Sequence, residues 1–204
     1  KLNSPYEADY STQRDLVFAG ALSTTNTELK LEWERYRGGP IVEAPYMIKS
    51  NGKYYLTYSA NGCWNKYYNV CYAVSDSPLG DYTKPWVKDQ SWTNLLFGYA
   101  GGMQGSSVYK KWDGFMSGTA HHCFFKIGDQ YMIGYHAHQN RKGDSARYFG
   151  MDKLFFDKDG VPSITTENWY LYKAGTNIDM HQYWPIFDVN VSASNGTLWN
   201  DYEY

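Results

Sequence analysis

The sequence predicts an all-β fold built from repeated antiparallel meanders, the arrangement of a β-propeller. Three observations predict it. The segment Glu43-Ala44-Pro45-Tyr46-Met47-Ile48-Lys49, followed by Asn51-Gly52 and Tyr54-Tyr55-Leu56-Thr57-Tyr58, recurs without a gap as Ala120-His121-His122-Cys123-Phe124-Phe125-Lys126, Gly128-Asp129 and Tyr131-Met132-Ile133-Gly134-Tyr135. Short apolar and aromatic runs alternate with turn signals along most of the chain. No window shows the period of an amphipathic helix. A β-sandwich would use similar strands, but the long spacing and aligned strand starts favour a propeller. Two complete units cannot close a ring, because each blade needs a neighbour on both sides. The chain is therefore expected to supply the later blades of a larger domain.

Leu16 to Leu22 is a short apolar run, and Leu29 to Trp33 alternates with period two. Ile41 to Lys49 and Lys53 to Ala60 read as strands joined by Asn51-Gly52, a strong hairpin signal. Val70 to Ser75 returns as a third strand after a loop from Asn61 to Asn69. Asp76 to Gly80 is a turn cluster, and Asp81 to Lys84 reads as a short edge strand ahead of Pro85. Gln90 to Gly118 is Gly-rich and reads as a long irregular connection, of the kind that often carries function. The second meander is expected at Cys123 to Lys126, Gln130 to His136, Ala146 to Phe156 and Trp169 to Lys173, with Asp157 to Pro162 as a turn. The expected domains are 1–38, the end of an earlier blade; 39–173, two four-stranded blades; and 174–204, closure of the propeller or the start of an accessory module.

The chain has 204 residues and a net charge of −2, which offers no basic patch for nucleic acid. No apolar run is long enough to span a bilayer. The sequence does not open on Met, which fits a mature or cleaved product that is secreted or periplasmic. Aromatic residues make up 19%. Most should fill the sheets, and a few would offer flat faces to sugars. Three cysteines leave at least one thiol free. Cys63 and Cys71 flank a predicted hairpin loop and either pair there or stay free. No CxxC spacing points to zinc. Two sequons, at Asn190 and Asn195, are too short a pattern to weigh.

Glu43 opens an otherwise apolar strand. A carboxylate there is either paired, with Arg35 or Arg37 nearby, or held in a cavity for chemistry. The innermost strand of a propeller blade lines the central channel, so its start can point into a shared cavity. His121 and His122 open the matching strand, and adjacent residues face opposite sides, so only one shares the cavity of Glu43. His136 and His138 share a face at spacing two, which suits either a metal pair or hydrogen-bonded structural groups. Trp64, on the loop beside the Glu43 strand, is a candidate sugar platform or a loop anchor.

These residues carry a family resemblance. Glu43 to Met47 with Asn51 to Ser59 resembles the general-acid segment of glycoside hydrolase family 43. Tyr72 to Gly80 resembles that family's next strand and turn. Gly118-Thr119-Ala120-His121-His122 with Tyr135-His136-Ala137-His138 resembles its Gly-x-Gly-His and Tyr-His segments. The match covers roughly Gly39 to Pro162.

The resemblance implies a five-bladed β-propeller enzyme, an inverting hydrolase of arabinose- or xylose-containing plant polysaccharides such as arabinan and arabinoxylan. Three carboxylates converge in that family's cavity: a general acid, a base and a residue that tunes the acid. Glu43 matches the acid. His121 matches the cavity histidine, a substrate contact that in some members helps hold calcium or its water. Calcium is therefore a candidate ion through His121, with no cofactor required. An inverting site needs room for water between acid and base. Ala120 replaces the usual second Gly, a modest departure. Asp9 and Asp15 precede Glu43, but neither lies in a recognisable copy of the base or tuning motif. The expectation is an acid-bearing piece, inactive alone, completed by an N-terminal polypeptide. A non-catalytic carbohydrate-binding propeller is the alternative, and a transferase or lyase on the same scaffold is a third reading.

Overall fold

A computed structural model describes residues 1–37, 39–86, 88, 93–98, 117–138 and 146–163. In chain order the strands are β1 (Leu2–Ser4), β2 (Glu7–Ala8), β3 (Arg35–Tyr36), β4 (Gly39–Pro40), β5 (Val42–Ser50), β6 (Lys53–Ala60), β7 (Asn69–Ser75), β8 (Leu95–Phe97), β9 (Ser117–Ile127), β10 (Gln130–His138), β11 (Arg147–Lys153), β12 (Phe155–Phe156) and β13 (Pro162–Ser163). Two larger sheets dominate, ordered β5-β6-β7-β8 and β9-β10-β11, and every pairing is antiparallel. These are consecutive blades of a partial propeller. The first strand of the second sheet, β9, packs against β5, β6 and β7 of the first. No helix among the described residues is long and apolar enough to cross a membrane.

Side-chain alternation distributes the strands between two cores. From β7, Val70 and Tyr72 enter the core between the sheets with Phe124, Ile133, Tyr135 and Ala137. Cys71 and Ala73 face the other way, packing with Leu31, Trp33, Tyr58 and Tyr82. Both hairpins use turns matched to strand twist. Asn51 and Gly52 both adopt positive φ, whereas Gly128 does so alone in the second hairpin, the difference between type I′ and type II′ turns.

Several expected elements differ. Leu16 to Leu22 is not a strand; Ala21 forms only a bridge to Leu29. The alternation at Leu29 to Trp33 leads instead into a 3-10 helix, Glu32–Glu34. The cause is Glu34, which turns inward to a fully buried network. Its carboxylate accepts from the Gly20 amide at 2.8 Å, the Tyr58 hydroxyl at 2.8 Å, the Asn94 amide at 2.8 Å and Lys84 Nζ at 2.5 Å.

Asp81 to Lys84 is not a full edge strand. Thr83 makes only isolated bridges, to Val74 and Ser23, while Lys84 is drawn inward to Glu34 and the Phe18 carbonyl. The fourth strand is β8, inside the segment expected to be irregular. Thr83 and β8 thus share the outer side of β7. The expected strand from Ala146 to Phe156 breaks at Leu154, whose amide bonds the Tyr131 carbonyl. The expected strand at Trp169 to Lys173 and the segment 174–204 lie outside the described residues.

Candidate active site

The repeat encodes a shared backbone irregularity. In the first sheet Glu43 pairs with Ser59 and Tyr46 with Thr57, so Ala44 and Pro45 together oppose Tyr58. In the second, Ala120 pairs with His136 and Cys123 with Gly134, so His121 and His122 together oppose Tyr135. Each is a one-residue β-bulge, a device that re-aims side chains. The bulge residues Ala44 and His121 both take a left-handed φ, 49° and 52°.

Glu43, just before its bulge, is exposed, and its Oε1 accepts a 2.5 Å hydrogen bond from the Tyr68 hydroxyl. Tyr68 is fully buried and reaches this point from the loop before β7. Burial first, and then the bond to Glu43, push the Tyr68 phenol well above its ordinary range. It therefore stays a neutral donor. Among the described residues Glu43 Oε2 has no hydrogen-bond partner. The expected pairing of Glu43 with Arg35 or Arg37 does not form: Arg35 pairs with Glu32 and Arg37 lies over the Tyr36 ring.

His121 is brought to the same place. Its amide donates to Ser59 Oγ at 2.7 Å, which pins the second bulge to the first sheet. Its Nδ1 lies 3.3 Å from the Tyr68 hydroxyl. Tyr68 has one proton, engaged by Glu43, so Nδ1 carries the hydrogen toward the Tyr68 oxygen. The His121 ring stacks on His136 with centroids 5.7 Å apart, and His136 stacks on Tyr68 at 5.8 Å. Burial, the Arg147 charge and the neighbouring histidines lower the His136 pKa to about 4. Arg147 Nη1 sits 3.2 Å from His136 Nε2, and its guanidinium lies over the Trp64 ring, 5.3 Å from the centroid. Trp64 is 58% exposed, so one face of the cluster meets solvent.

The other two described histidines are engaged elsewhere. His122 is buried, with Nε2 at 2.6 Å from Thr57 Oγ1. His138 is buried with Nε2 at 2.9 Å from the Cys63 carbonyl. His136 and His138 therefore have separate hydrogen-bond partners, Arg147 and the Cys63 carbonyl. All three cysteines are free thiols; Cys71 donates to Asn69 Oδ1 at 2.8 Å rather than bonding Cys63.

Calcium takes six to eight oxygen ligands, whereas His121 is surrounded by imidazoles, a phenol and one carboxylate. Among the described residues no three His, Cys, Asp or Glu side chains come together to hold a metal. This donor set does not fit a resident calcium ion, and no step of the reaction is assigned to one. Asp9, one of the two early aspartates, accepts from Ser11 in an exposed 3-10 turn.

The sequence profile of glycosyl hydrolases family 43 matches residues 17–162. The chain belongs to this family. The family 43 chain is 29% identical over 121 residues to the β-D-galactofuranosidase xynD of Aspergillus niger, covering 58% of the chain and 30% of that protein. Among solved structures it is similar to an endo-1,4-β-xylanase from Bacteroides thetaiotaomicron, with 30% identity, a TM-score of 0.49, and coverage of 66% of this chain and 40% of that one. It is also similar to a thermostable family-43 glycoside hydrolase, with 28% identity, a TM-score of 0.42, and coverage of 61% and 35%. The chain thus spans less than half the length of each of these relatives.

Within the family 43 chain, three members of the cluster escape sequence reading: Tyr68, Ser59 and Arg147. The repeat held one signal, since its register sets Ser59 opposite His136, directly after each bulge. Nothing in local periodicity marks Tyr68 or Arg147, which arrive through tertiary packing.

Proposed function

We propose that the chain is the acid-bearing part of an inverting glycoside hydrolase acting on arabinose- or xylose-containing plant polysaccharides. Glu43 is the general acid. The observation that carries this reading is the Tyr68–Glu43 hydrogen bond, which anchors Oε1 and leaves Oε2 open to a substrate. In the proposed step the bond from the anomeric carbon to the glycosidic oxygen breaks. Its electron pair goes to the leaving oxygen, which takes the proton from Glu43. A water oxygen bonds the anomeric carbon from the opposite face and loses its proton to a carboxylate base. That base and the tuning carboxylate come from outside the described residues, on an N-terminal polypeptide that completes the propeller, and this chain alone is inactive. Trp64 and His121 contact the sugar. A polymeric substrate cannot enter a cell intact, which supports a secreted or periplasmic enzyme.

The test is Glu43→Gln in the complete enzyme, assayed on arabinan and xylan. A general acid contributes about 10²- to 10⁴-fold, so a loss of that size is expected with oligosaccharide binding retained. Full activity of the variant on these poor leaving groups overturns the assignment. If the unmodified complete enzyme binds oligosaccharide and cleaves none, the protein is a binding propeller instead.

A further inference from the structure

The described cations fall into two groups: some meet carboxylates, and others, among them Arg37, Lys49, Lys126 and Arg147, lie over aromatic rings. Arg14, Arg35 and Lys53 meet carboxylates at 2.9, 2.9 and 2.7 Å, and Lys30 meets Glu28. Arg147 is exposed and meets none among the described residues, although it stands beside the candidate active site. Its contacts are a histidine and a tryptophan. His136 is neutral near pH 7 because its pKa lies at about 4, so its Nε2 accepts from Arg147 Nη1 and leaves the full positive charge in place. The Trp64 face holds the guanidinium plane by a cation–π contact. One N–H of the guanidinium is used, and the others have no acceptor among the described residues. An arginine oriented in this way presents a planar fork that matches a carboxylate. It connects to Glu43 through only His136 and Tyr68.

We propose that Arg147 and Trp64 form a subsite for the carboxylate of a uronic-acid substituent on the pentose polymer, with the sugar ring against the part of Trp64 that Arg147 leaves exposed and the carboxylate on the Arg147 fork. The inference rests on the assignment of Glu43 to a glycosidase site. It narrows the substrate to acid-decorated chains and explains why a charged side chain, rather than a second aromatic, covers the Trp64 face.

The experiment is calorimetric titration of the complete enzyme with a glucuronic-acid-substituted xylo-oligosaccharide and with its unsubstituted backbone, at low salt and in about 0.5 M NaCl, where charge pairs are screened. The acidic ligand is expected to bind about tenfold more tightly at low salt. That advantage should shrink in salt, disappear in Arg147→Met, and persist only in part in Arg147→Lys, which keeps the charge without the fork. Equal affinity for the two ligands, or an advantage that survives either salt or Arg147→Met, overturns the proposal. If Arg147→Met fails to fold, Arg147→Lys carries the test, and an acid preference undiminished in it overturns the proposal. Hydrolysis is read in parallel on both ligands. Acid preference without cleavage refutes the hydrolase reading and keeps the subsite. Cleavage without acid preference does the reverse.

Discussion

Ala44 and His121 hold the same left-handed backbone position in successive sheets, with φ of 49° and 52°. Each sits at a bulge in which two residues oppose one tyrosine, Tyr58 or Tyr135. One irregularity, used twice, therefore delivers different chemistry. In the first sheet it exposes Glu43 ahead of the bulge. In the second the residue ahead of the bulge is the fully buried Ala120, and the bulge residue itself, His121, faces the site.

Tyr68 should act as a positioning residue for Glu43. A hydrogen bond to a charged group is worth about 1.5–3 kcal/mol, so Tyr68→Phe is expected to lower kcat/KM on natural oligosaccharides roughly 10- to 100-fold. Aryl glycosides with good leaving groups need little proton donation and should be affected much less. Comparing kcat/KM on the two substrate types checks this. Equal losses on both would show that Tyr68 supports the fold and not the acid.

Lys84 should be essential to the first sheet. Its amine and the Glu34 carboxylate are both fully buried, and removing one partner of such a pair costs about 3–5 kcal/mol. Lys84→Met is expected to lose stability of that order in urea unfolding. The double variant Lys84→Met/Glu34→Gln should recover part of it, because no charge is then left unpaired. A Lys84→Met loss below about 1 kcal/mol would contradict the role given to the pair.

Asp152 should make the second sheet weaker at alkaline pH. It is buried, and burial raises its pKa to about 7 from 3.8, opposed by a 2.8 Å bond from the Tyr135 hydroxyl. The folded carboxyl holds its proton more tightly than the unfolded one, so stability from this group falls as pH rises from about 4 to about 7 and stays low above. Asp152→Asn keeps an acceptor for Tyr135 and removes the titration. The melting temperature of the variant should exceed that of the parent at pH 8 by more than at pH 5. A difference independent of pH would remove Asp152 as the cause.

His122 should act in the opposite sense. Burial, with a smaller effect from His121, lowers its pKa to about 4 from 6.5. The stability it contributes is present above pH 6.5 and is lost as pH falls through about 4. Thr57 already donates its hydroxyl proton to the Tyr46 carbonyl at 3.0 Å, so it accepts from His122 Nε2–H, and Nδ1 is the bare nitrogen. Nitrogen-15 NMR should find that tautomer, with no titration of this ring above about pH 5. A ring that protonates near 6.5 would show that the site is wetter than this packing allows.

Much of this was legible in the order of residues. Asn51-Gly52 with its flanking alternation placed β5 and β6, and the repeat transferred that reading to β9 and β10 and singled out Glu43 and His121. The departures have physical causes. Leu29 to Trp33 alternates like a strand, yet a buried carboxylate one residue later bends the chain into a 3-10 turn. β8 is three residues long, too short for periodicity to register. Tyr68 reaches Glu43 from the loop before β7 and Arg147 arrives from the second sheet, and no local pattern reports contacts so distant in sequence.

The Glu34 network has a further consequence for how the protein assembles. Its donors come from Gly20, Tyr58, Lys84 and Asn94, so the carboxylate stays short of partners until the chain has grown past position 94. During synthesis, β5, β6 and β7 emerge before the residue that completes their interior. The first blade therefore cannot lock as its hairpin appears. It waits for Asn94, just ahead of β8, so the last strand of this sheet arrives together with the residue that closes its interior.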